Sequence, residues 1–248
     1  RYPLPVLYSF HTELKENHGK PRSPPQDPFP GTTDGLDRVT RPGPESEAGM
    51  TLPILVFGEE ELADLVRSGV ALPDHLVSIG NPRVPWGERE PGTRVRPEFR
   101  PYFRRILRLS FQDATEKSHL RHPLLARIPE VRDARRVAGF WRRTRGQASG
   151  YVVHCWAGVS RSTAAALALL YLETGSEAEA ARRLREVRPQ ALPNLRFVRC
   201  FDRVLGSRLE AEAKVIQDAR IADFARELSS LMEELPAAED AEPVEEEP

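Results

Sequence analysis

Tyr151-Val152-Val153-His154-Cys155-Trp156-Ala157-Gly158-Val159-Ser160-Arg161-Ser162-Thr163 is the stretch on which the reading of this chain turns. Its first four residues form a short apolar run of strand character. Thr163 to Glu173 is apolar almost all round, as a helix buried on every side is. Between strand and helix, five residues separate Cys155 from Arg161. A loop of that length can curl so that its backbone N–H groups converge on one point. The N-terminal end of the following helix adds its positive partial charge there, and the result is an anion site. Gly158 lets the backbone approach the anion closely, and Arg161 supplies a planar fork for two of its oxygens. The same field favours Cys155 as a thiolate at neutral pH, and Ser162 is placed to donate a hydrogen bond to it. A buried structural cysteine at a strand end would leave Gly158, Arg161 and Ser162 unexplained together.

Working outward from the loop, short apolar runs alternate with helical patterns. Leu52 to Phe57, Leu76 to Ile79 and Ile106 to Phe111 read as strands. Glu59 to Arg67 reads as a short helix with acids at its start, stopped by Gly69. A helix is expected with Pro129 in its first turn, Val131, Ala134, Ala138 and Trp141 on one face, and Gly146 at its end. Past the buried helix, Gly175 is a stop and Ser176 to Glu179 a capping box. The helix that follows ends at Arg188-Pro189, and Asn194 caps another carrying Leu195, Val198, Phe201 and Leu205, ended by Gly206. A last helix is expected from Leu209 to about Leu235. The fold class is therefore α/β, with a mostly parallel central sheet flanked by helices.

The 248-residue chain is 40% hydrophobic and 29% charged, with a formal net charge of −1. That balance does not point to nucleic acid, and no apolar run approaches the roughly 20 residues that span a bilayer. Residues 1–50 and 236–248 read as tails, the first rich in proline and the second acidic; residues 51–235 read as one domain. Met50 is a candidate start. Cys155 and Cys200 are the two cysteines, which suits a cytoplasmic chain with free thiols. Cys200, between Val198 and Phe201 on an apolar face, reads as core. His119 and His122 lack partners at metal-ligand spacing, so neither a metal nor another cofactor is expected.

His154-Cys155, five residues, Arg161-Ser162 resembles the signature of the protein tyrosine phosphatase superfamily. The Ala157-Gly158-Val159-Ser160-Arg161-Ser162 portion is most similar to the dual-specificity branch. Arg188-Pro189-Gln190-Ala191-Leu192-Pro193-Asn194 resembles a segment found downstream of the loop in that branch. Asp113, following a strand, matches the place of its general acid. The resemblance spans roughly Met50 to Gly206. It implies nucleophilic attack by Cys155 on a phosphate ester, with the phosphate held by Trp156 to Arg161. Asp113 then protonates the leaving oxygen and activates water against the phosphocysteine, while Ser162 helps the sulfur depart. Glu116 and Asp133 are rivals to Asp113. His154 is expected to orient the loop from behind, Asn194 to brace it, and Trp156 to serve as packing more than as a platform for substrate.

A phosphorylated protein is the implied substrate; the absence of lysine from Trp156 to Ser160 sets the loop apart from inositide-directed relatives. Two other functions stay open at this point: a phosphate-binding module without turnover, and sulfur transfer or arsenate reduction on a cysteine in an anion loop. An arginine-rich, aromatic stretch from Arg83 to Arg108, including Arg94, Arg96 and Trp86, is a candidate reader of acidic substrates. The oligomeric state is not legible.

Overall fold

In a computed structural model, residues 51–82, 95–114 and 127–234 are described. The elements run β1 (Ile54–Phe57), α1 (Glu59–Arg67), β2 (His75–Gly80), α2 (Phe99–Tyr102), β3 (Arg105–Ser110), α3 (Val131–Thr144), β4 (Tyr151–His154), α4 (Arg161–Thr174), α5 (Glu177–Val187), α6 (Leu195–Leu205) and α7 (Leu209–Glu234). The four strands form one sheet in the order β1-β4-β2-β3, and every pairing is parallel. Parallel neighbours need crossovers, and the helices between strands provide them. β4 lies between β1 and β2, with Val152 paired to both Leu55 and Leu76. Both edges of β4 are therefore paired, and because each face is covered by a core cluster, Tyr151, Val152 and Val153 are all buried.

Successive side chains of β4 point to opposite faces of the sheet. Tyr151 and Val153 join the larger core with α3 to α7. Val152 joins Leu62, Ala63, Leu76, Phe99 and Phe103 beneath α1 and α2. The centre of the larger core is α4, whose Ala164 to Leu172 are all buried. Burial of each leucine there contributes roughly 1.5–3 kcal/mol. Because β4 and α4 are both locked in the core, the loop between them is fixed at both ends. It sits at the carboxyl edge of the sheet, where open parallel sheets present their ligand sites.

Several expectations need correction. Pro129 is not in a helix first turn: α3 begins at Val131, capped at Glu130, whose N–H donates to Asp133 Oδ2 at 3.1 Å. Phe111 lies just beyond β3, and its carbonyl serves the site instead of the sheet. Only half of the capping box at Ser176 forms. Ser176 Oγ accepts from Glu179 N–H at 3.3 Å, but the Glu179 carboxylate is taken by Arg182 and Arg183. Arg96, grouped with the acidic-substrate readers, is instead tied to Glu59, Glu60 and Glu98, and the neighbouring Phe99 and Phe103 are core. Arg83, Trp86 and Arg94 of that stretch, with Glu116, His119 and His122, lie outside the described residues. Among the described residues no cluster of metal-ligating side chains occurs, and no helix is long and apolar enough to cross a membrane.

Candidate active site

The loop from Cys155 to Ser160 is held by its carbonyl groups. Glu59 N–H donates to the Trp156 carbonyl at 2.9 Å. Arg188 donates from Nε to the Gly158 carbonyl at 3.0 Å and from Nη2 to that of Ala157 at 3.4 Å. Leu192 N–H reaches the Val159 carbonyl at 2.9 Å and Asn194 N–H that of Ser160 at 3.2 Å. Thr163 Oγ1 donates to the Val159 and Ser160 carbonyls at 2.5 and 2.9 Å. A trans peptide points its N–H opposite its C=O. With five successive carbonyls turned outward, the N–H groups of Ala157, Gly158, Val159, Ser160 and Arg161 turn inward. Among the described residues none of these five finds an acceptor. Five such donors plus the N-terminus of α4 form a socket whose chemistry suits a tetrahedral oxyanion.

Gly158 is where the curl requires glycine. Its φ is +71°, and a Cβ there would fall 2.4 Å from Gly58 N, 2.5 Å from Phe57 C and 2.7 Å from Arg188 Nη2. The loop thus lies directly on the turn between β1 and α1. Arg188, 8% exposed, is aimed by Glu61, which accepts from its Nη1 at 2.9 and 3.0 Å and also from Gly58 N–H at 3.0 Å. Sequence reasoning quoted Arg188 within a motif but gave it no role, and it passed over Glu61 altogether.

Cys155 is buried at the base of the socket, with Ser162 Oγ 3.2 Å from its sulfur, close enough for the hydroxyl to donate. Arg161, also buried, is anchored through one nitrogen: Nη1 donates to Asn81 Oδ1 at 2.7 Å and to the Phe111 carbonyl at 2.9 Å. Its Nε is buried without an acceptor. A buried guanidinium N–H that lacks a partner is costly unless a ligand supplies one, and the adjacent socket would hold it. Asn81 is a further site residue that the sequence reading missed.

Asp113 stands at the rim, exposed. Its Oδ1 accepts from Ser160 Oγ at 2.7 Å and Asn194 Nδ2 at 2.8 Å. The Ser160 hydroxyl therefore serves Asp113, although it occupies the cap position of α4. Asn194, 5% exposed, does two jobs, since its Oδ1 also caps α6 by accepting from Phe197 N–H at 3.0 Å. Asp133, a rival to Asp113, is fully buried against Arg127 and the start of α3, where it cannot reach a substrate. Trp156 does not pack: it is 63% exposed, a correction to the reading of it as a packing residue of the loop. Cys200 is buried, with its sulfur 3.8 Å from the Pro129 carbonyl.

His154 lies under the loop, with Nε2 2.9 Å from Ser78 Oγ and the Phe99 ring edge-on at 5.3 Å. Burial pushes its pKa down to about 4, aided by the charges of Arg96 and Arg161 and partly offset by a backbone contact with Cys155. The imidazole is thus neutral at working pH. As pH falls through the ordinary value of 6.5 toward about 4, the unfolded chain takes up a proton that the folded one does not. His154 therefore costs the fold up to about 3 kcal/mol across that window, and nothing above it. Urea midpoints should show wild type losing more stability than His154→Gln between pH 7 and 4.5. Parallel losses would mean that His154 is not held neutral.

No family model matches the chain, and no curated protein does. Solved structures do. DUSP15 is 19% identical over 68% of this chain and 94% of its own, at a TM-score of 0.43. Human tyrosine phosphatase-like serine/threonine/tyrosine-interacting protein is 23% identical over 59% of this chain and 83% of its own, at 0.39. Human DUSP28 is 20% identical over 68% and 94%, at 0.37. These likenesses concern the path of the chain, and the chemistry of the socket rests on the residues described above.

Proposed function

We propose that residues 51–235 form a cysteine-dependent phosphomonoesterase that hydrolyses phosphotyrosine in proteins, with phosphoserine and phosphothreonine as further substrates. The observation that carries this reading is the outward bonding of five successive loop carbonyls, which leaves the N–H groups of Ala157 to Arg161 without protein acceptors in the loop that follows Cys155. The phosphate oxygens sit on those N–H groups and on the free side of Arg161. The Cys155 thiolate attacks phosphorus in line, an S–P bond forms and the ester P–O bond breaks. Asp113 gives its proton to the departing oxygen. Asp113, now a carboxylate, takes a proton from water as that water attacks phosphorus, and sulfur leaves with the Ser162 hydroxyl hydrogen-bonded to it. Inorganic phosphate is the product, and no metal is needed in this sequence of steps.

Trp156 supports an aryl ester: an exposed indole at the mouth offers a flat apolar surface to a phenyl ring. Free thiols at Cys155 and Cys200 suit a reducing compartment, and we assign the chain to the cytoplasm. The test is turnover of p-nitrophenyl phosphate at mildly acidic pH, inhibited by vanadate, with Asp113→Asn alongside. Asp113→Asn should lower kcat by about 10²–10⁴ and leave vanadate affinity within a few-fold, because only protonation of the leaving group is lost. Unchanged kcat would remove Asp113 from the mechanism. Vanadate binding by a wild type that does not turn over would replace the enzyme with a phosphate-binding module.

A further inference from the structure

α7 changes character halfway along. Its first turns are anchored in the core by Leu209, Ala213 and Ile216, and Gln217 Nε2 donates to the Pro193 carbonyl at 2.7 Å. From Gln217 to Met232 no residue is buried. Along this second half the polar side chains are largely exposed, Asp223 49%, Glu227 58% and Arg226 78%, and with Arg220, Pro189 and Gln190 they line an open cleft of about 470 Å³. The apolar side is uncovered as well. Ile221 is 61% exposed, Phe224 57%, Leu228 49%, Leu231 60% and Met232 62%. At 100° per residue these five, with Ala225, fall within an arc of about 120°. Scattered exposed apolar residues need no explanation, but a continuous stripe on one helix marks a surface that something covers.

The geometry points to a second copy of this chain as the occupant, joined through a two-fold pairing of the α7 stripes. The principal residues Ile221, Phe224, Leu228 and Leu231 are spaced three, four and three apart. That spacing reads the same in both directions, so an antiparallel copy sets Ile221 against Leu231 and Phe224 against Leu228 without a gap. A closed two-fold contact requires self-complementarity of this kind. The three-and-four alternation is also that of a helix–helix seam.

Charge argues against a membrane as the occupant. The polar side carries Arg220 and Arg226 against Asp218, Asp223 and Glu227. Arg220 pairs with Glu227 at 2.9 Å, and Arg226 pairs with Asp223. A helix that lies on a membrane needs a polar face rich in lysine and arginine, and this one is balanced to slightly acidic. A copy meets the stripe without stranding any charge, because the ion pairs close within each helix.

The test is analytical ultracentrifugation of the full chain, with Phe224→Glu and Leu228→Glu, singly and together, as variants. Wild type should sediment as a concentration-dependent dimer of twice 27.9 kDa. Each variant should be a monomer with an unchanged melting temperature, since both side chains are exposed in the single chain. Wild type that stays monomeric at its solubility limit overturns the inference. So does a dimer that survives the double variant, which must use another surface. Flotation of the monomer with vesicles of zwitterionic or anionic lipid, lost in the double variant, would assign the stripe to a membrane and overturn it as well. Hydrolysis of p-nitrophenyl phosphate by the monomeric variants should equal that of wild type, which separates failure of this inference from failure of the proposed chemistry.

Discussion

Cys155→Ser should abolish hydrolysis of p-nitrophenyl phosphate, by about four orders of magnitude or more, while leaving the fold and the anion site in place. The expectation follows from what each atom does. In the proposed mechanism the sulfur is the one atom that forms and breaks a bond to phosphorus, so its loss removes the covalent route entirely. A hydroxyl at the same place is smaller by a fraction of an ångström and is not ionised at neutral pH. The N–H groups of Ala157 to Arg161 stay where the carbonyl bonds hold them, and Arg161 keeps its anchors on Asn81 and Phe111. Phosphate or tungstate should therefore still raise the melting temperature of Cys155→Ser by nearly as much as that of wild type. Loss of activity without loss of this shift is the expected pair of results. Activity that persists in Cys155→Ser would sink the nucleophile assignment. Loss of both would mean that Cys155 matters to the fold more than to the chemistry.

The second large effect is expected at Gly158. An alanine there would place its Cβ within 2.4–2.7 Å of the backbone at Phe57 and Gly58 and of Arg188, at a φ of +71°. The backbone contacts cannot relax as a side chain end can, because Phe57 ends β1 and β1 is paired along its length with β4. Strain at a left-handed position costs roughly 1–3 kcal/mol, and overpacking adds a similar amount. Gly158→Ala should therefore lose about 3 kcal/mol of stability in urea titration. Its anion affinity should fall as well, because the cheapest relief pushes the loop off the β1–α1 turn and turns two carbonyls out of register with Arg188. A variant with wild-type stability and anion affinity would show that the loop does not rest on that turn.

The loop was legible in the sequence because its parts are local. A strand, a glycine at the curl, an arginine and a buried helix all lie within about two dozen residues, and their spacing alone specifies converging N–H groups. What holds the loop was not legible, because it arrives from far away. Arg188 reaches the loop from 30 residues downstream and Glu61 lies 127 residues from Arg188, while Asn81 meets Arg161 across 80. No spacing rule links such residues; only the parallel order of the strands brings them together. Asp113 was singled out by the resemblance at a place after a strand, and the structure puts it beside the loop; its grip by Ser160 and Asn194 was not foreseen. Trp156 was misread for a different reason. Tryptophan usually seeks burial, yet in a loop that bonds its carbonyls outward the side chain direction follows the peptide plane and has no period to read. The last helix was legible from Leu209 onward, but that its second half would leave its apolar residues exposed was not, because no spacing rule says where the body of the protein ends beside it.

The clasp of Arg188, Leu192 and Asn194 on the loop carbonyls has a temporal consequence. During synthesis the loop leaves the ribosome more than thirty residues before the last of the groups that fasten it. Until Asn194 emerges, the nascent chain holds Cys155 in a loop that is not yet fastened. On the proposed function, chemical competence is therefore acquired late and in one step, when α5 and the turn after it dock. Phosphate that bound only the fastened form would draw that last step forward by mass action, by about 2.7 kcal/mol at a hundredfold excess over its dissociation constant. The product of the proposed reaction would in this sense be a chaperone for the chain that makes it.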